Sequence, residues 1–166
     1  MDFYFRYNRV NYKILKYINI ILILTVFLFP KNIYSHDYYL GKLTIDHPYI
    51  AQPMPGMKAA AGYLVIKNKG NESEYLINLE SLFSKNIELH EMAMIGEVMK
   101  MKKLSNGIEI PPGKEIELKP GGFHIMFKNL NKELLAGSKE KVILYFKNTG
   151  KIIVSFEISD IKKHSH

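Results

Sequence analysis

Two short segments carry the residues whose types could do chemistry. In Gly121–Phe127, GGFHIMF, the imidazole of His124 and the thioether of Met126 alternate with Phe123, Ile125 and Phe127. In Ile87–Met92, IELHEM, Glu88, His90 and Met92 alternate with Ile87 and Leu89. Successive side chains of a strand point to opposite faces. Each segment, if extended, separates an apolar face from one that carries a histidine with a methionine two residues on. The apolar sets belong against a core, which puts both histidines on the opposite side or at a rim. A third segment, Glu97–Leu104, places Met99 and Met101 at one parity with Lys103, against Val98, Lys100 and Lys102. Neither of its faces is clearly apolar, so these two methionines read equally well as core.

The chemistry that wants this mixture is soft-metal binding. Thioether sulfur is soft and neutral and imidazole is borderline, so together they favour Cu(I) over magnesium, calcium or manganese. Zinc sites use thiolate, imidazole or carboxylate instead. Two histidines and two methionines would add no ligand charge, which suits a d¹⁰ ion that must later be released. Methionine is also a common core filler, and the residues alone leave packing open beside metal binding. The chain has no cysteine, which removes thiol catalysis, thiolate zinc sites, blue-copper sites and disulfides together. There is no HExxH, no Ser-His-Asp arrangement and no recognisable carboxylate pair. A catalytic metal needs an open position and a polarised water. The expectation is a binding protein without turnover.

The elements that must position these residues are short strands. Candidates are Lys42–Tyr49, Ala60–Asn68, Tyr75–Ser81, Ile87–Met92, Glu97–Leu104, Lys114–Leu118, Phe123–Lys128, Val142–Lys147 and Lys151–Ile158. Between them stand turn sequences such as Ser105-Asn106-Gly107, Pro111-Pro112-Gly113 and Pro120-Gly121-Gly122. Lys147-Asn148-Thr149-Gly150-Lys151 is a hairpin signal. Asn129–Leu135 leaves room for one helical turn. This spacing predicts an all-β Greek-key sandwich or barrel. His47, before Pro48, reads as structural.

Residues 1–35 have the layout of a signal peptide: Arg6, Arg9, Lys13 and Lys16, the apolar run Ile18–Phe29, then Pro30 and Ser35. The run is short of the roughly 20 residues a helix needs to span a bilayer; an uncleaved anchor starting from Ile14 is the alternative. Cleavage after Ser35 would leave His36 first, with its α-amine a further Cu(II) chelator. The leader holds five of the 23 basic residues and one of the 16 acids, so the net charge of +7 falls to +3 beyond it. Every basic residue there is lysine, which is no argument for nucleic acid. The expected organisation is signal peptide 1–35, one domain over 36–160 and a polar tail over 161–166. His164 and His166 in that tail offer a Cu(II) site, or simply a frayed end.

The segments His90-Glu91-Met92-Ala93-Met94, Val98-Met99-Lys100-Met101, Ile108–Gly113 and Leu118–Met126 resemble the periplasmic copper(I) chaperones of the PCuAC family. The family motif is a histidine, a methionine and a His-x-Met at set spacing. Here ten residues separate His90 from Met101 and twenty-two separate Met101 from His124, one more than usual. The extra residue is assigned to a Ser105–Gly113 loop. Upstream, His47-Pro48-Tyr49 stands where the family often has Pro-Trp, and Ala59–Gly70 resembles its next strand and turn. The likeness covers Leu40–Ile158.

What the resemblance implies is a cupredoxin-like fold, monomeric and periplasmic, binding one Cu(I) through His90, Met101, His124 and Met126. It also implies delivery to the CuA centre in subunit II of cytochrome c oxidase, with a Sco-type protein as a second partner. Met92, Met94 and Met99 are left over, either as a rim that receives or passes on copper, with Met92 a secondary ligand, or as packing. The alternatives are an exported β-sandwich for copper storage or tolerance, and a structural module without metal.

Overall fold

The chain divides into two units, Met1–Tyr34 and Ser35–His166. The structure, a computed structural model, describes residues 37–96 and 98–160 of the second, and Tyr17 of the first. Residues 1–16 and 18–36, Glu97 and residues 161–166 lie outside the described residues, and with them the expected signal peptide, His36, and the tail with His164 and His166. From 37 to 160 the described chain contains no helix.

Eleven strands follow in order: β1 Tyr38–Leu40, β2 Leu43–Ala51, β3 Ala59–Asn68, β4 Glu74–Ser81, β5 Ser84–Ile95, β6 Val98–Lys103, β7 Ile108–Ile110, β8 Glu115–Leu118, β9 Phe123–Leu130, β10 Lys139–Phe146 and β11 Gly150–Ser159. They form one hydrogen-bonded path, β6-β5-β9-β8-β3-β2-β11-β10-β4-β7, with β1 beside β2 and β9 also paired to β3. Most neighbours are antiparallel. The exceptions are β2 with β11 and β8 with β9, the crossovers that make a meander into a Greek key.

The path folds over into two layers. β9 and β11 are separated along the sheet by β3 and β2, yet the rings of Phe127 and Phe156 meet edge-on with centroids 6.3 Å apart. Phe83 closes on Phe127 from the β4–β5 connection at 5.0 Å. Alternate residues of each strand supply this core: Ile125 and Phe127 from β9, Leu89 from β5, Val154 and Phe156 from β11. Asn68 ties the layers at one end, with its backbone N–H donating to Lys114 O and its side-chain amide to Ile110 O.

Gly62 on β3 is required by close approach. A Cβ there would lie 2.6 Å from a ring carbon of Phe127, so the missing side chain lets the aromatic ring approach β3 closely. Its cross-strand partner is Ile125 of β9, and this close packing seats β9 against the core.

All nine strands expected from the sequence are present. β1 and β7, three residues each, were not anticipated. The Ser105–Gly113 segment is therefore no plain loop: it holds β7, and Ile108 and Ile110 are buried. Asn129–Leu135 forms no helical turn. Its donors go sideways instead, Leu130 N–H to Lys58 O and Asn131 N–H to Phe83 O, while Leu130 and Leu134 are both buried. His47 takes a left-handed φ of 49° where the β2–β3 register shifts between Asp46 and Tyr49, consistent with a structural part in a bulge.

Candidate metal centre

Strands β6, β5 and β9 lie side by side at one end of the sheet. In an antiparallel pair, residues directly opposite share a face. His90 stands opposite His124 and Glu88 opposite Met126 across β5–β9. Across β5–β6, His90 stands opposite Lys103, Met92 opposite Met101, and Met94 opposite Met99. One face thus collects Glu88, His90, Met92 and Met94 from β5, Met99, Met101 and Lys103 from β6, and His124 and Met126 from β9. The other face of β5 and β9 carries Leu89, Ile125 and Phe127 into the core. The register settles the parity of β6 that its sequence left open: Met99 and Met101 are 53% and 50% exposed, and no residue of β6 is core.

Both histidines lie opposite the core, as alternation requires, but they are not rim residues. His90 is 8% and His124 3% exposed. Their rings meet edge-to-face, 5.4 Å between centroids and 88° between planes.

Each ring has one nitrogen committed to an acceptor. Nε2 of His90 lies 2.9 Å from Glu88 Oε2, and a carboxylate can only accept, so Nε2–H donates. In the neutral ring Nδ1 then keeps its lone pair, and it lies 3.1 Å from Met101 Sδ. For His124 the roles of the nitrogens are reversed. Nδ1–H donates to the carbonyl of Gly122 at 3.1 Å, which frees Nε2. The same carbonyl accepts the backbone N–H of Met92. The Pro120-Gly121 turn sets it in place, with Gly121 at φ 78° and Gly122 N–H bonded to Lys119 O. Metal-binding histidines are characteristically oriented by such partners on the second nitrogen. Met126 is half-buried one step along β9 from His124, diagonal to His90 and within reach of a long side chain.

Glu88 is the electrostatic hub. Its carboxylate holds His90, Lys103 Nζ at 3.1 Å and Lys128 Nζ at 2.8 Å, linking β5 to both β6 and β9. Hydrogen bonds from Lys128, then Lys103, then His90 pull its carboxyl down to about 2. Burial pushes the His124 imidazole below its ordinary value, against the Gly122 hydrogen bond and with help from His90, so His124 is neutral at pH 7.

Of the residues singled out in the sequence, His90, His124, Met101, Met126 and Met92 come together on this face. Glu88 and Gly122 are the functional positions that sequence reasoning passed over; the signal for Glu88 was its parity with His90, two residues on. Among the described residues no group of three or more His, Cys, Asp or Glu could hold a metal. The donor set here is imidazole and thioether, which suits a soft monovalent ion.

Comparisons agree with this reading of the fold. The family described as "Putative lipoprotein LpqE-like" matches residues 43–158. "Putative lipoprotein Lxx21020" of Leifsonia xyli subsp. xyli is 32% identical over 63% of this chain, and "Uncharacterized protein RP573" of Rickettsia prowazekii is 28% identical over 61%. The matched regions span 62% and 56% of those two relatives. Among solved structures, a copper-bound PCuAC domain from PmoF2 superposes with a TM-score of 0.65 at 22% identity, covering 75% of this chain and 98% of that domain. An apo PCuAC domain from PmoF1 gives 0.65 at 26% identity, with 75% and 99% covered. The Cu(I) form of DR1885 from Deinococcus radiodurans gives 0.58 at 18% identity, with 80% and 86% covered. The chain belongs to the LpqE-like family, and its fold is that of the PCuAC domains.

Proposed function

We propose that this protein is an extracytoplasmic copper chaperone that carries one Cu(I) between His90, Met101, His124 and Met126. The observation that carries this reading is the pair of buried histidines set opposite each other. Each has one nitrogen tied to an acceptor, and the free nitrogen of His90 lies beside a thioether. The copper-bound and Cu(I)-bound states of the similar structures support it.

Imidazole and thioether are neutral as ligands, so the bound ion keeps its own charge. Release is ligand exchange. Met101 is half exposed, and an incoming thiolate, softer and charged, can displace a thioether one bond at a time. That chemistry fits delivery to the cysteine-lined CuA centre of cytochrome c oxidase subunit II, with a Sco-type protein as a second partner, as the resemblance implies. The leader directs the chain to the periplasm. A relative named as a lipoprotein points the same way, although this sequence has no cysteine to carry a lipid. The role is carriage, with no turnover.

The test is transfer. Protein loaded with one Cu(I) is mixed anaerobically with the copper-free, reduced soluble domain of subunit II, and the two are separated and assayed for copper. Movement of copper to the recipient is expected. Retention by the donor would replace delivery with storage or tolerance.

A further inference from the structure

Met92, Met94 and Met99 are left over once four ligands are assigned, and their exposure decides between packing and function. Met94 is 59% and Met99 53% exposed, so neither fills the core. They stand directly opposite each other next to the tip of the β5–β6 hairpin, where Ile95 pairs with Val98 and Gly96 turns at φ 65°. Directly opposed strand residues have Cβ atoms about 5 Å apart, within reach of two flexible thioethers closing on one ion.

The arrangement is one-sided. Met92, Met94, Met99 and Met101 share the histidine face, whereas Glu91, Lys100 and Lys102 take the other. β6 ends the sheet path. An edge strand ordinarily protects itself with charge; here Lys100 and Lys102 take the face away from the histidines, and Lys103, on the histidine face, is paired with Glu88 at the end away from the hairpin tip. Along the shared face the rungs run Met94–Met99, then Met92–Met101, then His90 with His124. The rungs are about 7 Å apart, and burial rises along β5 from exposed Met94 through half-buried Met92 to buried His90, while Met99 and Met101 on β6 are exposed alike. Met101 belongs to the middle rung and already touches the inner one, 3.1 Å from His90 Nδ1.

We infer that Met94 and Met99 form a second, outer soft-metal site that takes a Cu(I)-class ion from solution or a partner and passes it down the hairpin to the histidine pair. This rests on the proposed Cu(I) reading of the inner site. Each step exchanges one neutral donor for another, so no electron or proton moves. The outer pair has two thioethers and no imidazole, so it holds the ion more weakly than the inner site and fills second.

The probe is Ag(I), a redox-stable d¹⁰ substitute for Cu(I), titrated into the full chain with ¹³C-methyl methionine and followed by NMR. The first equivalent should move the Met101 and Met126 methyl signals, and the second those of Met94 and Met99. A Met94→Leu, Met99→Leu variant keeps apolar bulk but removes both sulfurs. It should lose the second equivalent, bind the first within about twofold of the parent, and release it more slowly to excess thiolate. An inner site that fills while the Met94 and Met99 methyl signals stay still would overturn the outer site alone. So would a variant that still takes two equivalents. A parent that takes none would overturn the inner site and this inference together.

Discussion

Nδ1 of His90 lies 3.1 Å from Sδ of Met101, a residue eleven positions on and on the neighbouring strand. Nε2 of the same ring is tied to Glu88, so the nitrogen facing the sulfur is the one with a lone pair to give. An imidazole nitrogen beside a thioether sulfur is a donor pair that a soft cation can bridge.

Glu88 fixes that geometry without touching the ion. Glu88→Gln removes the charge that orders His90, Lys103 and Lys128. Losing an orienting partner on a metal-bound histidine typically costs about 10–100-fold in affinity. The expected outcome is a loss in that range in a competitive Cu(I) titration, with a thermal midpoint close to the parent because the two lysine pairs are partly exposed. Parental affinity would remove Glu88 from the site.

Protons compete with copper at the free ring nitrogens. Burial holds the His124 imidazole below its ordinary 6.5. A group depressed in the fold stabilises it fully above the unfolded value, and that contribution is lost as pH falls through the folded one. Metal-free His124 followed by NMR should titrate with a midpoint under 6.5, and this ring should resist proton competition for copper below that pH. A midpoint at or above 6.5 would contradict the buried, neutral ring.

Gly62→Ala tests how the core supports the site. The added methyl meets Phe127 at 2.6 Å, and overpacking of this kind costs about 1–3 kcal/mol. Chemical denaturation should show that loss. Cu(I) affinity should fall as well, because β9 carries Phe127 on one face and His124 and Met126 on the other.

The fold was legible wherever alternation ran for four residues or more between Gly or Pro turns. β1 and β7 were missed because three residues carry no usable period. The parity of His90 with Met92 and of His124 with Met126 was legible for the same reason that strands were. The face of Met99 and Met101 was not, because β6 buries neither side and only its register with β5 decides. The burial of the histidines also escaped the sequence, since it comes from neighbours on other strands: each ring packs on the other across β5–β9, and Met101 of β6 closes on His90. The same holds for Glu88, whose partners Lys103 and Lys128 are distant in the chain.

The most direct measurement is an anaerobic Cu(I) titration against a competing chelator, run on the parent and on a Met101→Leu, Met126→Leu variant that keeps the apolar volume. One tight equivalent in the parent, and a loss of at least about tenfold in the variant, is the predicted result. Equal binding in both, or none in either, would contradict a site built from His90, Met101, His124 and Met126.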